Sequence, residues 1–348
     1  MNPDWRTFLT AQGARIGADD RVVPPAPSGA AVPPGDCTRY DLSHLGLIGV
    51  AGADADTFLQ GQLSNDIRAL TPTHSQLSSH CSPKGRMLAL FRVVRHGEGI
   101  WLQLPRERVA EAIKRLRLYV LRSKVTLEDL SDGPVRIGLA GAGTPRELER
   151  LGLPLPAGDN DVASADGVRV LRLPSPVPRF ALIADCERQT AIWEALEPGS
   201  TWGDEDAWAL LDIRAGIPSV YTATVDAFVP QMANLQLIDG VSFTKGCYTG
   251  QEVVARMQYL GKLKRRMYFA EVASPTPPQP GDALEAPGST SEQTPGRVVD
   301  ARPSGEGRYE LLAVVEIEAA QSGEVRLGSA GALLHLQPPP YGFPAPAV

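Results

Sequence analysis

Apolar residues recur along the chain with two periods, which predict strands in some segments and amphipathic helices in others. Strand-like segments run from Leu45 to Val50, from Gln76 to Cys81 and from Met87 to Arg95. Helical spacing marks the segments 105–119 and 204–215, each with its large apolar residues on one face. The elements alternate without the regular rhythm of a parallel βαβ sheet. We therefore expect an α+β fold with antiparallel sheets packed against helices.

Proline and glycine divide this pattern into three parts. Residues 1–36 hold a short helix and then a proline-rich connector, which we expect to lie extended along the surface. Residues 37–266 carry the alternating strands and helices. Residues 267–348 hold strand-like segments joined by linkers rich in proline, glycine and serine, with no long helix. That pattern is typical of a small β-barrel-like domain.

Composition narrows the possible functions. The net charge is −6, so we expect neither direct nucleic-acid binding nor attraction to an anionic membrane. The four cysteines lie far apart, and neither they nor the histidines show the spacing of a disulfide framework or a metal site. The N-terminus has no signal-peptide pattern and no apolar run approaches transmembrane length, which predicts a cytoplasmic protein.

One stretch, from Lys245 to Glu252 (Lys-Gly-Cys-Tyr-Thr-Gly-Gln-Glu), has the clearest chemical signal. Thr249 and Glu252 have the spacing of a capping box, which predicts a helix that begins with Thr249 as N-cap and ends at Gly261. Cys247 would lie two residues before that N-cap, where free N–H groups favour a thiolate, and Lys245 would add a positive charge. Both are candidate catalytic residues. The alternative is that Cys247 is a small buried apolar residue, although the flanking glycines favour the functional interpretation.

A basic run follows this stretch, with no acidic residue between Glu252 and Glu271. Its members are Arg256, Lys262, Lys264, Arg265 and Arg266. They form either a solvated helix end and strand entry, or a site for an anionic ligand tail, RNA phosphate or an acidic partner.

The stretch from Lys245 to Glu252 resembles the signature of the YgfZ family, and other segments match that family in order and spacing. These are 58–66, 81–87, 215–218 and 228–235, so that the resemblance runs from about residue 41 to residue 266. YgfZ proteins are folate-binding relatives of the glycine-cleavage T-protein. The resemblance implies two subdomains within residues 37–266, arranged as in the T-protein around a central channel, followed by the β domain.

By this resemblance the protein is a tetrahydrofolate-binding factor that supports the assembly or repair of iron–sulfur enzymes, including those that thiomethylate tRNA. Its partners would be a reduced folate and iron–sulfur client proteins. Cys247 stands at the family's functional cysteine, and Trp208 matches a tryptophan associated with folate. From the residues alone, Trp208 either packs in a core or stacks on a heterocycle. The implied folate contacts are Trp208, Gln231, Asn234, Tyr248, Gln251, Glu252 and Asp66.

Two positions depart from the family pattern. Leu45 stands where some members have a second folate-associated tryptophan, and Arg214 stands where many have a pterin-binding glutamate. No counterpart of the T-protein's catalytic aspartate loop is found, which argues against aminomethyl transfer.

A folate-dependent aminomethyl or methyl transferase is still the main alternative, and a folate-independent scaffold is the second. Cys247 could ligate iron, exchange with a disulfide or accept a one-carbon unit.

Overall fold

The structure is a computed structural model that describes residues 1–25, 36–287, 294–328 and 331–343. Its α-helices are α1 (Pro3–Ala11), α2 (Ala55–Gln60), α3 (Val109–Arg117), α4 (Thr144–Arg150), α5 (Cys186–Leu196), α6 (Glu205–Ala215), α7 (Gln251–Tyr259) and α8 (Ile317–Ser322). Its strands are β1 (Arg15–Ile16), β2 (Val22–Val23), β3 (Thr38–Asp41), β4 (Leu45–Ala51), β5 (Gln76–Cys81), β6 (Met87–His96), β7 (Gly99–Pro105), β8 (Thr126–Asp129), β9 (Val135–Ala140), β10 (Val162–Ala165), β11 (Val168–Arg172), β12 (Arg179–Ala184), β13 (Thr201–Gly203), β14 (Arg265–Ala273), β15 (Ala283–Glu285), β16 (Gly296–Gly305), β17 (Arg308–Glu316), β18 (Arg326–Leu327) and β19 (His335–Gln337).

These elements belong to two compact units that interleave along the chain. The first unit contains residues 1–59, 67–76 and 91–208. The second contains residues 60–66, 77–90 and 209–348. The stretch from Lys245 to Glu252 therefore belongs to the second unit. The predicted division into 1–36, 37–266 and 267–348 stays a prediction.

The first unit has its core beside a six-stranded sheet of order β10-β11-β12-β9-β3-β13. Its pairs are antiparallel except for β13 and β3, which run parallel. Helices α1 and α5 contribute Trp5 and Trp193, whose rings meet edge to face at 5.5 Å. The Trp5 indole N–H donates to Asp41 Oδ1 at 2.7 Å, so this buried polar atom has a partner.

A second sheet has the order β5-β6-β7-β4-β8. Residues 91–96 of β6 belong to the first unit and residues 87–90 to the second. The turn between β5 and β6 is closed by hydrogen bonds from the Ser82 N–H to the Arg86 carbonyl and from the Gly85 N–H to the Ser82 carbonyl, both at 2.8 Å. Gly85 has φ +69°, the left-handed conformation that glycine adopts without steric cost.

The second unit is built on an antiparallel sheet of order β18-β15-β16-β17-β14-β19. Successive residues of β17 point to opposite faces: Leu311 and Ala313 join one buried cluster, and Leu312 and Val314 join another. The second cluster also contains Val254 from α7 and residues of the β5–β6 hairpin. One apolar core thus holds the hairpin, α7 and the sheet together.

The predicted α+β class with antiparallel sheets is confirmed. The helix expected over 105–119 is shorter, because Pro105 ends β7 and a 3₁₀ turn precedes α3. The expected all-β domain contains the short helix α8. Residues 26–35 of the predicted proline-rich connector lie outside the described residues. No helix of the described segments is long and apolar enough to cross a membrane.

Candidate functional site

Lys245 anchors the loop that leads into α7. Its side chain is 8% exposed, and its ammonium donates to the carbonyls of Gln60, Leu63 and Asn65 at 2.8, 2.6 and 2.9 Å. The Nζ atom also lies 5.2 Å from the centre of the Tyr248 ring, within cation–π range. All of these residues belong to the second unit. Lys245 is therefore placed to hold the loop, while its predicted effect on the thiol stays a prediction.

Cys247 follows at the exposed tip of this loop. Both it and Gly246 are exposed, and a methyl group built on Gly246 would meet no atom within 4 Å. The other three cysteines are less accessible: Cys37 and Cys81 are buried and Cys186 is half-buried. The alternative that Cys247 is a buried apolar residue is therefore wrong, and its sulfur can be reached from solvent.

Gly250 closes the loop at the start of α7. It has φ +80° and is the N-cap residue of the helix. A Cβ atom at this position would lie 2.3 Å from the Ser82 carbonyl oxygen and 2.9 Å from the Gly85 Cα. A Cβ atom on Gly85 would in turn lie 2.8 Å from Val253 Cβ. The turn of the β5–β6 hairpin thus packs directly on the first turn of α7, and glycine is required on both sides of the contact.

The predicted capping box is wrong for this reason. Helix α7 begins one residue later, its N-cap is Gly250, and no side chain caps it. Thr249 would need an extended backbone followed at once by helical residues to act as N-cap. The left-handed Gly250, packed against the hairpin turn, interrupts that path. The predicted helix end is confirmed, since α7 ends at Tyr259, its C-cap is Leu260, and Gly261 follows directly.

Tyr248 follows the exposed Cys247 and turns inward. It is 7% exposed, and burial raises the pKa of its hydroxyl. Burial also raises the pKa of the Cys81 thiol to about 11, so this cysteine is protonated at neutral pH. Tyr248 therefore helps to hold the loop against the hairpin while Cys247 remains outside.

Gln231 and Asn234 support α7 and β14 from the neighbouring 3₁₀ segment. The Gln231 amide donates to the Val254 carbonyl at 2.6 Å, and the Asn234 amide donates to the Met267 carbonyl at 2.8 Å. Their amide oxygens have no hydrogen-bond partner among the described residues. Both residues are at most 2% exposed, so these oxygens are shielded from solvent in the folded chain.

Trp208 lies in the first unit, in a packed core. It is 1% exposed, its ring centre is 3.8 Å from the Arg179 guanidinium carbon, and Tyr40 packs on it at 5.2 Å. Its ring lies so close to Gly138 that a Cβ there would come within 2.4 Å. Core packing, the first of the two interpretations, describes this position.

A pterin ring needs an open aromatic face or accessible polar atoms. Trp208, Gln231 and Asn234 offer neither in this structure and fit a role in packing. Glu252 is exposed, while Asp66 and Gln251 are half-buried. Asp66 accepts a hydrogen bond from the Gln60 amide at 2.9 Å. The predicted folate contacts of all these residues stay predictions.

Arg214, one of the two departures from the family pattern, is held by an ion pair. Arg214 forms a two-pronged ion pair with Glu310, with both N–O distances at 2.7 Å. Leu45 lies in β4, and its carbonyl accepts a hydrogen bond from the Arg136 guanidinium at 2.9 Å. Because the Arg214 guanidinium is paired with the Glu310 carboxylate, it does not replace a pterin-binding glutamate.

The basic run divides into residues with different partners. Arg265 pairs with Glu316 at 2.8 Å, and the Arg266 guanidinium lies 4.4 Å from the centre of the Phe343 ring. Arg256, Lys262 and Lys264 are exposed. The last four of the run line a groove that includes Arg86 and Arg297. The sequence does not group these two with the run because they come from distant segments, and Arg86 on the hairpin turn is most simply interpreted there as a solvated charge.

Labelling with an aromatic disulfide reagent tests the exposure of Cys247. The unfolded chain should release four equivalents of thiolate, one for each cysteine. In the native protein we expect a single fast phase that Cys247→Ala removes, because accessible thiols react first. Cys186→Ala is the matched control and should retain the fast phase. A fast phase of unchanged amplitude in Cys247→Ala would contradict the structure.

Comparison with known proteins identifies relatives of this chain. No protein-family model matches it. It is 33% identical over 307 residues to "tRNA-modifying protein YgfZ" of Yersinia pestis (strain Pestoides F), covering 88% of this chain and 93% of that protein. It is 34% identical over 306 residues to the protein of the same name from Pectobacterium carotovorum subsp. carotovorum (strain PC1), covering 87% and 91%.

The glycine cleavage system aminomethyltransferase T from Bartonella henselae shares the fold. The two structures superpose with a TM-score of 0.78 over 98% of each chain, at 17% sequence identity. At that identity the match establishes a common fold and leaves the chemistry to the residues of the site.

Proposed function

Because this chain belongs to the YgfZ family, we propose that it supports the assembly or repair of iron–sulfur enzymes that modify tRNA, with a reduced folate as ligand and Cys247 as the reactive residue. The relatives are named as tRNA-modifying proteins. The folate is proposed from the family resemblance and from the fold shared with an aminomethyltransferase. Thiomethylating enzymes and other iron–sulfur proteins would be the clients.

The observation that carries the proposal is the exposed sulfur on a firmly held loop. On one side the Lys245 ammonium donates to three backbone carbonyls. On the other side Tyr248 is buried and Gly250 packs on the hairpin turn. A reactive group is most effective when its support is fixed and the group itself remains accessible. Cys247 meets both conditions, whereas Cys37 and Cys81 are buried.

Three chemical roles for the thiol are compatible with this position. Its sulfur can coordinate iron as one ligand, exchange with a disulfide or accept a one-carbon unit. Among the described residues no group of three His, Cys, Asp or Glu side chains is arranged to hold a metal ion. A metal-binding role for Cys247 would therefore need ligands from a client protein or a small molecule.

Complementation tests the proposal. In a bacterial strain that lacks its own family member, the parent chain should restore methylthio-modified tRNA, measured by mass spectrometry of digested nucleosides. Cys247→Ala should leave the modification at the level of the empty strain, since the reactive atom is lost. Cys186→Ala should restore it as the parent does. Normal complementation by Cys247→Ala would refute the role of the thiol, and failure of the parent would refute the function.

Calorimetric titration with tetrahydrofolate under anaerobic conditions tests the ligand separately. Saturable binding is expected, and its absence would favour the folate-independent scaffold. If the purified chain alone turns over tetrahydrofolate with a one-carbon donor, the transferase alternative replaces the proposal.

A further inference from the structure

The second unit contains a groove that neither the Cys247 loop nor the predicted folate contacts explain. Its volume is about 1490 Å³. Small-molecule pockets typically enclose about 300–1,000 Å³, so this groove is large for a single compact ligand. Its walls come from the β5–β6 turn, the segments 223–232 and 257–266, and strands β16 and β17 with helix α8.

Cations outnumber acids along this groove. Its basic residues are Arg86, Lys262, Lys264, Arg265, Arg266 and Arg297. Its acidic residues are Asp226, Glu316 and Glu318, and two of the three are already engaged. Asp226 accepts a hydrogen bond from the Ser82 hydroxyl at 2.8 Å, and Glu316 pairs with Arg265. In a chain of net charge −6, this local excess of positive charge favours an anionic occupant.

Three of the cations are available to such an occupant. Lys262, Lys264 and Arg297 form no ion pair with a carboxylate in the described parts of the chain, whereas Arg266 already lies over the Phe343 ring. Lys262 and Lys264 are exposed, and Arg297 is half-buried. Charges of this kind recognise an acidic partner and raise its rate of association.

The remaining wall of the groove is apolar. Val225, Met232, Met257, Leu263 and Ile317 all line it and are half-buried, so each leaves part of its side chain open to the groove. Methionine is flexible and polarisable, and it is over-used on surfaces that bind varied peptides. An occupant that satisfies this wall must therefore carry apolar side chains besides its negative charges.

A single-stranded nucleic acid fits these features less well. Such ligands bind grooves in which aromatic rings stack on the bases. Phe228 is the aromatic residue among the described residues that line the groove, and it is 5% exposed. A peptide that carries both acidic and apolar side chains matches the cations and the half-buried apolar residues.

We infer that this groove binds an extended segment of a partner protein that carries both acidic and apolar residues. The inference does not depend on folate or on the thiol. Cys247→Ala should bind such a segment as the parent does, so the failure of either proposal leaves the other testable.

The experiment selects peptides from a displayed library of random ten-residue sequences on the immobilised full-length chain. Binders to the double variant Lys262→Glu/Lys264→Glu are removed at each round. The selected peptides should be enriched in acidic residues (Asp or Glu) and also in apolar residues. No enrichment, or enrichment of sequences without acidic residues, would overturn the inference.

The most enriched peptide is then labelled with fluorescein, and its binding is measured by anisotropy. Lys262→Glu/Lys264→Glu should weaken binding roughly tenfold or more, because two attractive charges become repulsive. Arg308→Glu is the matched control: it reverses an exposed charge of the same unit outside the groove and should change the affinity less than about twofold. Equal loss in both variants would indicate general attraction to positive charge and would overturn the inference.

A ten-nucleotide single-stranded RNA is measured in the same assay. The groove is a nucleic-acid site and the inference is wrong if two results are found together. The parent binds the RNA more tightly than it binds the peptide, and Lys262→Glu/Lys264→Glu lowers the affinity for the RNA. Met257→Gln tests the apolar wall: it should lower the affinity for the peptide and leave the affinity for the RNA unchanged. Thermal melting of each variant confirms that it is folded.

Discussion

Gly250→Ala is expected to lower the free energy of unfolding by about 3 kcal/mol, because a backbone cost of about 1–2 kcal/mol and a steric cost of about 1–3 kcal/mol add at this residue. The first cost is the left-handed backbone at φ +80°, which disfavours any residue with a Cβ atom. The second is steric. The new Cβ would lie 2.3 Å from the Ser82 carbonyl oxygen, and because that atom belongs to the backbone, the hairpin turn itself must shift. Urea denaturation of both proteins measures the difference.

Gly246→Ala provides the matched control within the same loop. Its Cβ would meet no atom within 4 Å, and its φ is not positive. We expect a change in the free energy of unfolding within about 0.5 kcal/mol, as for other unconstrained surface positions. If Gly250→Ala is no more destabilising than Gly246→Ala, the contact between the hairpin turn and α7 is not present in solution.

Lys245→Met is expected to destabilise the chain by a similar amount, about 3 kcal/mol. Methionine retains most of the length of the side chain but withdraws the ammonium from the carbonyls of Gln60, Leu63 and Asn65. A buried acceptor that loses its partner costs about 1–3 kcal/mol, and partial access of water at an 8% exposed side chain recovers some of that loss. Urea denaturation is again the measurement.

Lys264→Met removes a charge from an exposed lysine and is the appropriate comparison. It should alter the free energy of unfolding by less than about 0.5 kcal/mol. Equal stability of the parent and Lys245→Met would show that the ammonium does not anchor the loop. If Lys245→Met is unstable but its folded fraction still reacts with a thiol reagent at the parent rate, the lysine supports the loop without activating Cys247.

Trp208 and Lys245 show which contacts local sequence cannot reveal. Each stands in a pattern with a chemical interpretation, a tryptophan at a folate-associated position and a lysine beside a cysteine. In the folded chain Trp208 packs under Arg179 and Lys245 donates to backbone carbonyls. The atoms that decide these roles lie 29 and 182 residues away in the chain, so spacing within the motif carries no information about them.

The sequence by itself determined the α+β class, most of the longer strands and helices, and the family to which the chain belongs. Periodic burial and short motifs are local properties, and they can be read without coordinates. The sequence also singled out Cys247, because the flanking glycines Gly246 and Gly250 are a local signal of an unusual backbone.

Only the tertiary structure decided that Gly250 rather than Thr249 begins the helix, since the hairpin turn occupies the space that a side chain would need. It likewise decided that cations and apolar residues from several distant segments share one groove. Both results depend on contacts between residues far apart in sequence, and such contacts exist only after the chain has packed.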